Sequence, residues 1–167
     1  SGVPGFCIAQ LSEAEMIRKE NLNSQLLHLG CIEHKYSEIL EDKNLLFTIN
    51  SLDDVTFLDR IGHTKGISFY VHIKIDTGMT RLGIQLEHIE MLRDLLRNSK
   101  NVTVTGIFSH FSSADDTDGK EMNKQRDKFK SAVKYFNDEF SSLKDIHIAN
   151  SAGLLKSNEN HFNMVRP

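Results

Sequence analysis

Three ionisable side chains, His72, Lys74 and Asp76, alternate with Val71, Ile73 and Ile75. On an extended strand such alternation sends the two sets to opposite faces. If the apolar set meets helices, the charged set looks into an interior, where a charge is costly unless it is paired or in use. The plain alternative is the solvated face of an edge strand. The residues that follow favour the first reading: Thr77-Gly78-Met79-Thr80-Arg81-Leu82-Gly83-Ile84 places glycines where a tight strand-to-helix turn needs unusual backbone angles. Arg81 then stands at the strand's C-terminal mouth. Three other apolar runs end similarly, in Ser109-His110-Phe111, in His147-Ile148-Ala149-Asn150-Ser151 and in Met164-Val165-Arg166-Pro167. Four strand ends that each deliver His, Arg, Asn or Ser are hard to dismiss as structural. In α/β barrels that edge is where chemistry is done. A lone His is more often structural than catalytic. No H-x-x-x-H or C-x-x-C spacing occurs, so no metal is expected.

These residues need a scaffold of short β-branched runs alternating with helical periodicity, the pattern of a parallel sheet. Seven runs read as strands: Gly5–Ala9, Leu26–Leu29, Leu45–Ile49, Ile67–Ile75, Val102–Phe108, Asp145–Ala149 and Phe162–Val165. Ser12 with Glu15, and Ser51 with Asp54, have the spacing of capping boxes. Ile89, Leu92, Leu95 and Leu96 share one helix face, and Phe129, Ala132, Val133 and Phe136 another. These stripes read as packing surface. An open doubly wound sheet and a closed (β/α)8 barrel both fit, but a barrel typically needs about 250 residues and eight strands. No G-x-G-x-x-G turn or phosphate-binding P-loop is present. With two prolines and no low-complexity linker, residues 1–167 are expected to form one domain.

The net charge of −3 provides no sequence-wide basic field for nucleic acid. No apolar run approaches the roughly 18 residues of a membrane span, and no signal peptide is evident, so a cytoplasmic protein is expected. Cys7 and Cys31 each lie in a short apolar run and read as buried thiols. Asn101-Val102-Thr103 matches a glycosylation acceptor, but such tripeptides are common by chance. There is no initiator Met, and FNMVRP reads like a strand interrupted in mid-course, so the chain is expected to be a piece of a longer protein.

Taken in order and spacing, VHIKIDTGMTRLGI, GIFSHFSSAD, HIANSAG and FNMVRP resemble the pyridoxal-phosphate-dependent alanine racemases. GFCIAQLSEAEMIR and LLHLG are similar to that family's second and third barrel strands and the helix between them. The resemblance covers essentially the whole chain. It implies part of a (β/α)8 TIM-barrel domain, running from the second strand to the eighth. Carried over residue by residue, it makes Arg166 the hydrogen-bond partner of the pyridine nitrogen of pyridoxal 5'-phosphate. His147 supports that Arg, Asn150 and Ser151 contact the cofactor, Ser151 through the phosphate, and His110 packs beside it. Arg81 matches the arginine for the substrate carboxylate, and Lys74 a lysine that is often carbamylated. Asp76 is an alternative partner for an unmodified Lys74.

Two family features have no counterpart in these 167 residues: the first-strand segment resembling K-A-N-A-Y-G-H-G, with the lysine that attaches the cofactor, and the C-terminal β domain with its catalytic tyrosine. In the family those groups work on opposite faces of the substrate. The resemblance therefore implies a parent that interconverts L- and D-alanine for bacterial peptidoglycan as a homodimer, with the barrel between strands two and eight left open here. A racemase of other or broad specificity, such as for serine, and a non-catalytic cofactor-binding fragment are the alternatives.

Overall fold

The computed structural model describes residues 5–33, 38–112 and 119–167. The Ser113, Ala114 and Asp115 of the GIFSHFSSAD segment lie outside the described residues. The chain order is β1 (Gly5–Ile8), α1 (Leu11–Lys19), β2 (Gln25–His28), β3 (Leu45–Ile49), α2 (Leu52–Lys65), β4 (Phe69–Asp76), β5 (Ile84–Gln85), α3 (Ile89–Asn98), β6 (Val102–Phe108), α4 (Lys120–Glu139), β7 (Asp145–His147) and α5 (Ser151–Lys156). All strand pairs are parallel. The sheet runs β1-β2-β3-β4-β6-β7, with the two-residue β5 attached to the C-terminal end of β4. Its path is open, with β1 at one edge and β7 at the other.

Ser51 caps α2 as its spacing implies, accepting from the Asp54 amide while Asp54 Oδ2 accepts from the Ser51 amide at 2.8 Å. Helix α1 begins two residues earlier than Ser12 and Glu15 suggest. Gln10 is its N-cap, and Glu13 Oε2 accepts from the amides of Ala9 and Gln10 at 2.7 and 2.8 Å. One carboxylate serving two orphan amides outweighs the nominal serine cap. Both apolar helix stripes face the sheet: Leu92 and Leu96 of α3, and Phe129, Ala132 and Phe136 of α4, are buried. They pack with Phe47, Ile49, Val71, Ile73, Ile75, Val104 and Ile107, which form the outer face of β3, β4 and β6.

The Phe162–Val165 run is not a strand. Phe162 takes a left-handed φ of 49°, and the Asn163 side chain binds the edge of β7 in place of a ladder, accepting from the Ile146 amide at 2.7 Å and donating to the Lys144 carbonyl at 2.6 Å. The tail still runs beside β7, through Asn163 N to Ile146 O and Arg166 N to Ala149 O. The cysteines also depart from expectation, since both are exposed. Cys7 lies on β1, an edge strand among the described residues, and Cys31 lies in the loop after β2. Among the described residues, no helix is long and apolar enough to cross a membrane.

Candidate active site

The parallel register fixes which side chains meet. His72 of β4 pairs with Gly106 of β6, and Gly106 with Asp145 of β7. Two residues nearer the C-terminal edge, Lys74, Phe108 and His147 form the next rung. Both rungs face inward, opposite the helix-packed face. The inward phase of β6 depends on a register shift: Val71 pairs with Val104 but His72 with Gly106, so Thr105 is an extra residue. Such a bulge re-aims the residues beyond it. Without it, Gly106 and Phe108 would face the helices.

His72, Lys74 and Asp76 are all buried on this inner face, which excludes the solvated edge strand. Lys74 sits 5.8 Å from the centroid of the Phe108 ring. Among the described residues, no acceptor or carboxylate lies within bonding distance of its amine. Burial, then the charges of Arg81 and Arg166, push the Lys74 amine below its ordinary pKa. Asp76 is committed elsewhere. It accepts from the amides of Gly78 and Thr80 at 2.9 and 3.0 Å and from Gln85 Nε2 at 2.8 Å. Burial alone would push this carboxyl up, but these hydrogen bonds outweigh it and hold it below the usual range.

The turn carrying Arg81 is thus organised by a fixed anion. Gly78 and Gly83 have φ of 144° and 117°, as their placement implies, and Thr80 is also left-handed at 52°. A Cβ on Gly83 would come within 3.0 Å of the Asp76 amide nitrogen and the Lys74 carbonyl oxygen. Arg81 itself is exposed and lines a cleft of about 420 Å³ with Cys31, Asn50, Asp76, Thr80 and Gln85. The ends of β4 and β6 are tied by Ser109 Oγ, which donates to the Ile75 carbonyl and accepts from the Thr77 hydroxyl, both at 2.8 Å.

Arg166 is drawn over the same inner face. Its guanidinium donates to the Ser109 carbonyl at 2.7 Å and lies 4.9 Å from the centroid of the Phe108 ring. Burial pushes it down from its ordinary pKa. Its Nε is buried without a partner. His147 stacks on Phe108 with centroids 4.8 Å apart, and its Nε2 lies 3.1 Å from His72 Nδ1. No hydrogen bond joins Arg166 to His147: the first bonds to the Ser109 carbonyl and the second to His72. Burial, then the charges of Arg166 and His72, hold His147 down to about 2. His110, half-buried just beyond β6, is held to about 4 by burial and by Arg166, Lys74 and Arg81. Both imidazoles are neutral at pH 7.

Asn150 caps α5, its Oδ1 accepting from the Gly153 amide at 2.9 Å, and Ser151 is exposed at the first position of that helix. All seven candidate residues therefore lie at or beyond the C-terminal strand edge. Arg166 perturbs Lys74, His110 and His147, and Arg81 acts on Lys74 and His110 from the turn. Motif reading missed Phe108, against which Lys74, Arg166 and His147 all pack, and Asp145, 3.4 Å from His72.

An open parallel barrel section thus gathers three basic side chains and two neutral imidazoles at its C-terminal edge, the edge at which α/β barrels place their ligand sites. The family described as "Alanine racemase, N-terminal domain" matches residues 1–167, and the chain belongs to it. The alanine racemase of Carboxydothermus hydrogenoformans is 31% identical over 167 residues, which cover 99% of this chain and 45% of that protein. That of Prochlorococcus marinus is 34% identical over 170 residues, covering 99% and 44%. In three dimensions the chain is similar to the alanine racemase of Clostridium difficile 630, with a TM-score of 0.88 at 28% identity over 98% of this chain and 46% of that one. The same enzyme in complex with cycloserine gives the same TM-score. The fold is thus an incomplete TIM barrel of the alanine racemase N-terminal type, and the chain spans a little under half the length of these relatives.

Proposed function

We propose that these 167 residues are part of the N-terminal barrel domain of a cytoplasmic, homodimeric enzyme that interconverts L- and D-alanine with pyridoxal 5'-phosphate as cofactor. The observation that carries this reading is the set of Lys74, Arg81 and Arg166, three basic side chains on one rim; among the described residues no carboxylate lies within ion-pair distance of any of them. Such a field is costly unless anions fill it, and the cofactor phosphate and the substrate carboxylate are anions of the right kind. The cofactor fits the residues present. Arg166 Nε is a buried donor without an acceptor, as a partner for a ring nitrogen requires.

When bound, the cofactor supplies the electron withdrawal that makes the α-proton of an amino acid removable. This chain's side chains do the holding. Arg166, a cation at every working pH, offers the ring nitrogen a hydrogen bond without giving up a proton, which keeps electron withdrawal moderate and side reactions few. Ser151 and Asn150, at the start of α5, would hold the phosphate. Arg81 takes the substrate carboxylate, and His110 stays neutral beside the cofactor. Lys74 acts as a carbamate: the neutral amine attacks carbon dioxide, an N–C bond forms, and a proton leaves to solvent. The resulting anion then braces the Arg81 guanidinium.

The test is titration of the complete polypeptide with pyridoxal phosphate, followed by assay of D-alanine with a coupled oxidase. Saturable cofactor absorbance and D-alanine formation, both lost in Arg166→Glu, are expected. Turnover that survives Arg166→Glu would overturn the reading.

A further inference from the structure

Phe108 has no part in the function proposed above, yet it stands at the centre of the site. Its side chain is 1% exposed. The Arg166 guanidinium carbon lies 4.9 Å from the ring centroid and the Lys74 amine 5.8 Å. The His147 imidazole stacks on the ring at 4.8 Å, with the two planes only 4° apart. Two features of the fold put the ring there. The Thr105 bulge turns Phe108 inward, and the parallel register sets it in one rung between Lys74 of β4 and His147 of β7. The stacked imidazole, itself buried, then fixes the plane of the ring.

The chemistry of that ring suits the basic groups around it. The face of an aromatic ring is electron-rich and attracts a cation within about 6 Å of its centroid. Both Arg166 and Lys74 lie inside that limit, Arg166 the nearer. A ring also differs from a carboxylate in what it leaves free. A carboxylate would accept two guanidinium N–H groups in a fork, whereas a ring face attracts the charge and occupies no particular donor. Arg166 accordingly keeps a terminal nitrogen on the Ser109 carbonyl at 2.7 Å, and its Nε–H stays a buried donor without a partner. Phe108 and Ser109 are consecutive, so the end of β6 supplies both contacts to the guanidinium.

We propose that Phe108 is a positioning residue whose ring face holds the Arg166 guanidinium at the rim by cation–π attraction while leaving its Nε–H free for a ligand. Lys74 is attracted to the same ring from a greater distance. What the free donor binds rests on the function proposed above; the contact between ring and guanidinium does not.

The test replaces Phe108 in the complete polypeptide by mono-, di- and trifluorinated phenylalanine, which keep the shape of the ring and progressively withdraw charge from its face. Pyridoxal phosphate affinity is expected to fall stepwise, by about five- to thirtyfold at the trifluorinated ring, the range for a partly to fully desolvated cation–π pair. Phe108→Leu, which fills much of the space without a ring, should lose affinity by a similar factor. The same fluorinated series at Phe136, fully buried in α4, should leave affinity unchanged, and a ring with a merely structural role would give that flat response at both positions. A second readout needs no cofactor: the fluorine NMR resonance of the monofluorinated ring at position 108 should move when Arg166→Met removes the charge. Cofactor binding that stays flat across the series at position 108 would overturn the proposal, as would a fluorine resonance that Arg166→Met leaves in place. A resonance that moves, in a polypeptide that binds no pyridoxal phosphate, would support the ring contact and sink the functional reading alone.

Discussion

Gly106→Ala tests the seat of His72. The added Cβ would stand 2.5–2.6 Å from Cε1, Nε2 and Cδ2 of the ring. Carbon contacts settle near 3.5–4.0 Å, so the ring must retreat by about 1 Å. The His72–His147 hydrogen bond, now 3.1 Å, then stretches beyond bonding range. Overpacking costs about 1–3 kcal/mol, and an unsatisfied buried ring nitrogen on His147 about 1–3 kcal/mol more. Replacing glycine stiffens the unfolded chain and returns about 0.4–1 kcal/mol. The net destabilisation is about 1–6 kcal/mol, read from urea unfolding followed by circular dichroism. Gly66→Ala is the comparator, because Gly66 has a φ of 66° but nothing within 4 Å of an added Cβ. It costs only the left-handed backbone, about 1–2 kcal/mol. In His72→Ala, where the ring is gone, adding Gly106→Ala should cost at least about 1 kcal/mol less than in the wild type. A Gly106→Ala protein within about 0.5 kcal/mol of wild type, or an additive double mutant, would refute the account of the seat.

His147, held down to about 2, refuses a proton that the unfolded chain accepts below about pH 6.5. Its contribution is therefore fully present above that pH and is lost on acidification. Between pH 7 and 5 the loss is about 2 kcal/mol, so urea stability in His147→Leu should be less sensitive to pH by that amount; an unchanged slope would contradict a neutral buried imidazole. For Lys74, 13C-bicarbonate at pH 8 should give a carbamate resonance that Lys74→Ala lacks, and its absence from the wild type would rule out the modification. The 167-residue chain alone, mixed with pyridoxal phosphate, should form no D-alanine beyond the free-cofactor rate. Turnover abolished by heat denaturation would show that a lysine within these residues suffices.

The sequence by itself determined the local features. Period-two alternation put His72, Lys74 and Asp76 on one face of a strand, and glycine chemistry marked the left-handed turn that carries Arg81. The Ser51 cap and the apolar stripes of α3 and α4 needed no more than neighbours three or four residues away. Tertiary structure decided what depends on register between distant strands. The Thr105 bulge rephases β6, and no propensity within Val102–Phe108 reveals it, because it exists only relative to β4. His72 and His147 meet across 75 residues, and Asp145 joins them only because Gly106 leaves the intervening strand bare. The two cysteines have apolar neighbours in sequence but lie at an edge strand and a loop, so composition misjudged their exposure. Asp76 looked like a partner for Lys74, yet the nearby turn amides offer it hydrogen bonds at lower entropic cost than a lysine amine would. Among the described residues, no carboxylate then lies within bonding distance of the Lys74 amine.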